Sequence, residues 1–228
     1  MTRVLWIAAM VVAVSATPSR MFETPTDANL FSPRPLNLFE FAELKMPGKL
    51  EICTQSYFQK IVPGYPIETH KVQTDDGYIL TVFRIQAKGT TIKSGKPAVF
   101  LQHGLNDTAL CFFENDPDKA LGIMLADQGF DVWIGNTRGN KFSRAHKTLS
   151  IHSKAFWQYS FMQMGQYDVP ANIQYVINTA GVSKVTYIGH SQGTTQMFAA
   201  LSDPAVRPKV APYLKDFYAL APVVYLVS

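Results

Sequence analysis

From Glu68 onward the apolar residues fall into short β-branched or aromatic runs, separated by stretches with helical spacing. Glu68–Gln73 and Tyr78–Gln86 predict two strands, and the turn Asp75-Asp76-Gly77 between them predicts a hairpin. Ala98-Val99-Phe100-Leu101 reads as a short buried strand. Lys119–Gln128 suits a helix with Leu121, Met124 and Leu125 on one face. Phe130–Ile134 is a further strand, and Gly135–Ser153 is a polar loop rich in Asn, Arg and Lys. Ala171–Ala180 places Ile173, Val176, Ile177 and Ala180 in helical register; Pro170 fits the first turn and Asp168 lies near its positive end. Val185–Ile188 is a strand that runs directly into a helix-like stretch, Gln192–Leu201. Phe217–Leu226 is a last strand-like run, interrupted by Pro222. This alternation implies an α/β fold, with a mostly parallel sheet and helices on both faces, carried to about the sixth strand.

The pattern before this domain, taken as residues 67–228, is different. Arg3 supplies a positive start, Val4–Val14 an apolar stretch, and Val14-Ser15-Ala16 small or β-branched residues at the cleavage positions, so residues 1–16 read as a signal peptide. Eleven apolar residues are too few for a bilayer core that needs about 20. Residues 17–66 hold Pro18, Pro25, Pro33, Pro35 and Pro47 without sustained periodicity, as an extended arm or propeptide would. Entry to the secretory pathway is therefore expected, with a secreted or lysosomal destination.

Composition narrows the function classes. At 228 residues and 47% hydrophobic content the chain can bury a core and is not of disordered composition. The formal charge of +4 is scattered; the densest cluster, Arg84, Lys88, Lys93 and Lys96, reads as a solvated strand end and loop. Phosphate binding needs a concentrated field, so no nucleic-acid partner is expected. Cys53 and Cys111 either pair in an oxidising compartment or stand as two buried thiols, and neither lies in a CxxC pair, so no metal is expected. Asn106-Asp107-Thr108 is a glycosylation acceptor pattern, although its place beside the expected site argues against occupancy.

The chemistry concentrates in Gly189-His190-Ser191-Gln192-Gly193. A serine on a sharp strand-to-helix turn has its hydroxyl pushed out of the sheet, where an ester carbonyl can reach it. A dinucleotide fingerprint would need a glycine where Ser191 stands. The plainer alternative is a glycine turn serving only positive φ and close packing. A second motif, Gln102-His103-Gly104-Leu105, directly follows the strand Ala98–Leu101. Acyl transfer builds charge on the carbonyl oxygen, and backbone N–H groups must meet it. Gln192, after the serine, and Leu105, in the loop after the third strand, are the expected donors. His103 is expected to brace the loop, not to react.

With these motifs the chain resembles the acid lipase family, the gastric and lysosomal acid lipases and their insect relatives. The resemblance rests on Thr74–Leu80, Val99–Leu105, Gly129–Asn140, Phe156–Phe161, Tyr167–Ala171 and Gly189–Thr194, and covers the chain from about Ile67 onward. It implies the α/β-hydrolase fold, hydrolysis of acylglycerols or sterol esters through an acyl-enzyme, and no cofactor. Ser191 would be the nucleophile, and the N–H groups of Leu105 and Gln192 the oxyanion hole. A lipid ester is the expected substrate, with a lipid surface as a possible contact.

The resemblance also implies a lid after a strand ending near Val227, then a catalytic Asp and a catalytic His. Neither catalytic residue is found here: Asp203 and Asp216 are not at matching positions, and His70, His103, His146, His152 and His190 all precede Ser191. His146 and His152 lie on a loop that could approach the site as stand-in bases, although a solvated loop is the plainer reading. The chain as written is thus expected to turn over slowly and to dissolve poorly, its last apolar strand being an edge. A non-catalytic lipid-binding or interaction protein on the same scaffold is the alternative, as is a peptidase or thioesterase.

Overall fold

A computed structural model describes residues 60–224. The expectations for residues 1–16, for most of the proline-rich arm, for Cys53 and for Tyr225–Val227 lie outside the described residues. Seven strands form one sheet: β1 (Ile67–Gln73), β2 (Tyr78–Ile85), β3 (Ala98–Gln102), β4 (Asp131–Ile134), β5 (Ala145–His146), β6 (Val185–His190) and β7 (Leu214–Leu220). Their order is β1-β2-β4-β3-β6-β7, with β5 added to β2. β1, β2 and β4 pair antiparallel, as do β2 and β5, whereas β4, β3, β6 and β7 run parallel.

The central strands β3 and β4 are buried at every residue, as a parallel strand covered on both faces must be. Their side chains alternate between two cores. Phe100, Trp133 and Tyr187 face one way, against Ile173 and Val176 of α2 (Val169–Ala180) and Met197 and Ala200 of α3 (Gln192–Ser202). Val99, Leu101, Val132 and Ile134 face the other, against Ile123 and Ala126 of α1 (Leu121–Asp127) and Phe112 and Phe113. A short α4 (Arg207–Val210) adds Val210 to the first core. No helix among the described residues is long and apolar enough to cross a membrane.

At the far end of the sheet from the elbow, Arg84 donates from Nε and a terminal nitrogen to the two oxygens of Asp131, at 2.8 and 2.7 Å, and reaches Glu68 at 3.1 Å. Its guanidinium lies 4.7 Å from the Trp133 ring centre. Two carboxylates around one buried cation raise its pKa against the opposing pull of desolvation.

Several elements differ from their sequence reading. The first helix starts at Leu121, because Ala120 is extended and both Lys119 and Ala120 bond back to the Asp116 carbonyl in a turn. The first half of the 135–153 loop lies inside, with Asn136, Arg138 and Ser143 buried, while the second half is mostly exposed and contributes β5, which pairs with Tyr78 and Ile79. The second long helix is prefaced by a helical turn at Phe161–Gln163 and a π-helical turn at Met164–Asp168. The last strand starts at Leu214 and contains Asp216, and it stops before Pro222, which has no N–H for the ladder.

Candidate active site

Ser191 sits between β6 and α3 with φ 51° and ψ −117°, a conformation that an L-residue adopts only under constraint. Its N–H donates to the Leu220 carbonyl at 2.9 Å. A serine in the N-cap position usually spends its hydroxyl on the helix; this one makes no capping bond. The two motif glycines do not supply the positive φ; they supply room. A Cβ on Gly193 would lie 2.4 Å from the Gln102 carbonyl oxygen, and one on Gly189 would lie 2.7 Å from the Gly193 backbone. The turn is therefore wedged between β3 and its own helix. Gln192 and Gly193 open that helix, where amides have no partner in a preceding turn.

The loop after β3 is brought against this elbow. A Cβ on Gly104 would stand 3.1 Å from the Ser191 Cβ, so the backbones at 104 and 191 pass as closely as side chains permit. His103 is fully buried behind them. Its Nε2 accepts from the Thr137 N–H at 3.1 Å, which leaves Nδ1 as the protonated nitrogen, and Nδ1 lies 2.8 Å from the Gly104 carbonyl. Burial lowers its pKa, in keeping with a neutral ring that braces the loop. Asn136 and Asn140 continue the brace: Asn136 accepts from the Ala109 N–H at 3.0 Å, and Asn140 accepts from the Phe142 and Ser143 amides.

A cleft of about 400 Å³ opens beside the elbow. Leu105 and Gln192 both line it, with Asn106, Thr108, Asn140, Lys141 and Arg144 on its polar side and Trp157, Tyr159 and Met164 on its apolar side. Ser191 is half-buried next to Gln192 and does not itself line the cleft. The Leu105 side chain is 66% exposed, and Trp157 is also exposed. Arg138, part of the cleft lining yet only 2% exposed, is clamped by two carboxylates. It bonds Asp168 at 2.6–3.2 Å and Asp76 at 2.6 and 3.0 Å, and its guanidinium lies 4.0 Å from the Tyr78 ring centre. Complete burial pushes Asp168 up to about 6, with Arg138 opposing and the second carboxylate, Asp76, adding to the rise. The same two acids hold the Arg138 pKa up.

All three non-glycine residues with positive φ among the described residues belong to this region or its border: Asn106, Ser191 and Ala221. Backbone strain of that kind persists where surrounding structure over-determines it, and it clusters at functional sites. The fold thus brings Leu105, Ser191 and Gln192 together. It does not free the stand-in histidine His146, whose Nδ1 accepts from the Thr148 and Leu149 amides and whose Nε2 lies 2.9 Å from the Asp76 carbonyl. His152 is exposed. Cys111 is a free, half-buried thiol with its pKa raised by burial and by Asp107. Asn106 is exposed. Among the described residues no group of three His, Cys, Asp or Glu side chains is arranged for a metal ion. Sequence reasoning missed the Asp76–Arg138–Asp168 clamp, and it placed Asp168 at a helix end where it makes no capping bond. Its partners lie 30 and 62 residues apart. The Asp-Asp-Gly turn and the lone arginine in the Asn-Thr-Arg-Gly loop were the available signal.

Residues 97–211 match the model of the alpha/beta hydrolase fold. The chain belongs to the α/β-hydrolase family. Residues 56–116 of this α/β-hydrolase also match a partial alpha/beta-hydrolase lipase region. It is 48% identical over 163 residues to the lysosomal acid lipase/cholesteryl ester hydrolase of Macaca fascicularis, covering 71% of this chain and 40% of that protein. It is 48% identical over 162 residues both to lipase member M of Mus musculus and to the gastric triacylglycerol lipase of Bos taurus, covering 70% of this chain and 38% and 40% of those proteins. The α/β-hydrolase chain thus spans about 40% of the length of the relatives it matches, and the resemblance to acid lipases holds over that span.

Proposed function

We propose that this chain carries the nucleophile and oxyanion hole of a serine carboxylic ester hydrolase of lipase type. Ser191 attacks the ester carbonyl, the N–H groups of Leu105 and Gln192 receive the developing oxyanion, and water then releases the acid from the acyl-enzyme. The observation that carries this is the forced backbone of Ser191, with its hydroxyl unspent on the helix, beside a cleft walled by Leu105 and Gln192. A turn that served only packing would not need a positive φ at the serine, because the glycines already provide the close approach.

The names of the relatives point to lipid esters, either acylglycerols or sterol esters, and to a secretory or lysosomal location that the apolar stretch before Ala16 also supports. No cofactor enters this reaction. No histidine follows Ser191 within the 228 residues, and a serine without a base is a poor nucleophile. The 228-residue polypeptide alone is therefore expected to hydrolyse esters slowly. The test is a panel of short- and long-chain p-nitrophenyl esters with the Ser191→Ala variant, read together with fluorophosphonate labelling. Labelling is expected to be lost, while any hydrolysis that remains stays at the level that binding and the oxyanion donors supply alone. Lipid binding retained with neither hydrolysis nor labelling would instead make the chain a lipid-binding scaffold.

A further inference from the structure

The peptide unit joining Ser191 to Gln192 carries two groups on one rigid plane. Its carbonyl belongs to Ser191, and its N–H is the proposed oxyanion donor of Gln192. A trans peptide holds these antiparallel, so whatever fixes the carbonyl also aims the N–H. The Ser191 carbonyl accepts two bonds from one residue: the Thr194 amide at 2.9 Å and the Thr194 hydroxyl at 2.6 Å. A threonine in a helix can turn its hydroxyl to the carbonyl three residues back, as here. The same hydroxyl accepts from the Val223 N–H at 3.0 Å, while the Thr195 hydroxyl donates to the Val223 carbonyl at 2.9 Å. Thr194 is fully buried, so no bulk water replaces its hydroxyl when it is removed.

The arrangement closes a ring around two strained residues. Ser191 and Ala221 both have positive φ, and Leu220 accepts from the Ser191 amide. One side chain, Thr194, spans from the elbow to the strap that leaves β7.

We infer that Thr194 is a positioning residue that aims the Gln192 N–H at the reacting oxygen by holding the Ser191 carbonyl, and that it ties this aim to the strap at 221–223. The inference rests on the proposed roles of Ser191 and Gln192. Its consequence is specific: the hydroxyl matters, and the methyl does not. Thr194→Val removes the hydroxyl at nearly the same shape, and Thr194→Ser keeps it.

The experiment labels the 228-residue chain with an alkyl fluorophosphonate and resolves the rate into a binding constant and a first-order step. In that step the Ser191 Oγ forms a bond to phosphorus, the P–F bond breaks, and the hydroxyl proton and fluoride leave to solvent. The phosphoryl oxygen takes the oxyanion position. Thr194→Val is expected to slow the first-order step about tenfold or more with binding unchanged, and Thr194→Ser to stay near the original rate. Amide exchange at Val223 is expected to quicken in Thr194→Val and to stay slow in Thr194→Ser. A folded Thr194→Val chain that labels at the original rate overturns the inference. So does a slowing that Thr194→Ser shares in full. Labelling without a base is expected to be slow, so it is run with excess reagent over long times; if Ser191 is then modified no faster than the other serines of the chain, the reading of the elbow as a nucleophile has failed, and the positioning role goes with it.

Discussion

At the level of single residues, the site depends on what is missing from side chains as much as on what they carry. Gly193 is the clearest case: a β-carbon there would meet the Gln102 backbone at 2.4 Å, and no side chain can move aside to relieve the contact. Gly193→Ala should therefore destabilise the fold by about 1–3 kcal/mol through overpacking, and urea unfolding followed by fluorescence would show it. Because the shift needed falls on the end of β3, the same substitution should also reduce labelling of Ser191. His103 makes the opposite point. It is a polar ring in a fully buried place, and it is tolerated because both of its nitrogens are engaged. His103→Phe would keep the volume and leave the Thr137 N–H and the Gly104 carbonyl without that partner. Each unpaired group costs about 1–3 kcal/mol, so a loss of roughly 2–6 kcal/mol in unfolding free energy is expected. A loss below 1 kcal/mol would mean that the ring is not what fixes the loop before Leu105.

Elements show which signals a single sequence carries well. The central strands were legible because β-branched and aromatic runs buried on both faces look like little else, and the elbow because its serine and glycines occur between a strand and a helix. The helical lead-in at 161–168 was not legible. No apolar period marks Gly165, yet α3 packs directly on it: a Cβ there would lie 2.8 Å from both the Ala199 Cβ and the Gln196 carbonyl oxygen. Pro170 lacks an N–H, so a turn of wider pitch just before it loses no helical bond that proline could have made. That π turn also buries Asp168 and places Met164 at the cleft, neither of which an apolar period encodes. Gly165→Val should therefore act on the site from a distance. It is expected to push α3 outward, to cost about 1–3 kcal/mol of stability, and to slow Ser191 labelling while leaving the cleft side chains unchanged. Wild-type labelling in a destabilised Gly165→Val chain would show that α3 and the elbow are not rigidly joined.

On the scale of the whole molecule, buried titratable groups of opposite sign set how the fold answers acid. His103 and His70 have pKa values lowered by burial, so the unfolded chain binds protons there first. Their contribution to stability is present above about pH 6.5 and is lost as the pH falls below it. Asp168 works the other way. Its folded pKa, about 6, stands above its unfolded value of 3.8, so the folded chain takes up a proton between those values. The stability due to Asp168 is full below the unfolded pKa and is lost as the pH rises through 6. Protonation is tolerable there because Arg138 keeps Asp76 as a second partner, at 2.6 Å. The two effects offset each other between pH 7 and 5, and Asp168→Asn removes one of them. The variant is expected to lose about 1 kcal/mol more stability than the original chain over that interval, measured by urea unfolding at each pH. Equal losses in the two proteins would show that Asp168 stays ionised against Arg138 throughout. The central ion pair thus takes up a proton near pH 6 as the pH falls, and the folded state gains stability from Asp168 by doing so.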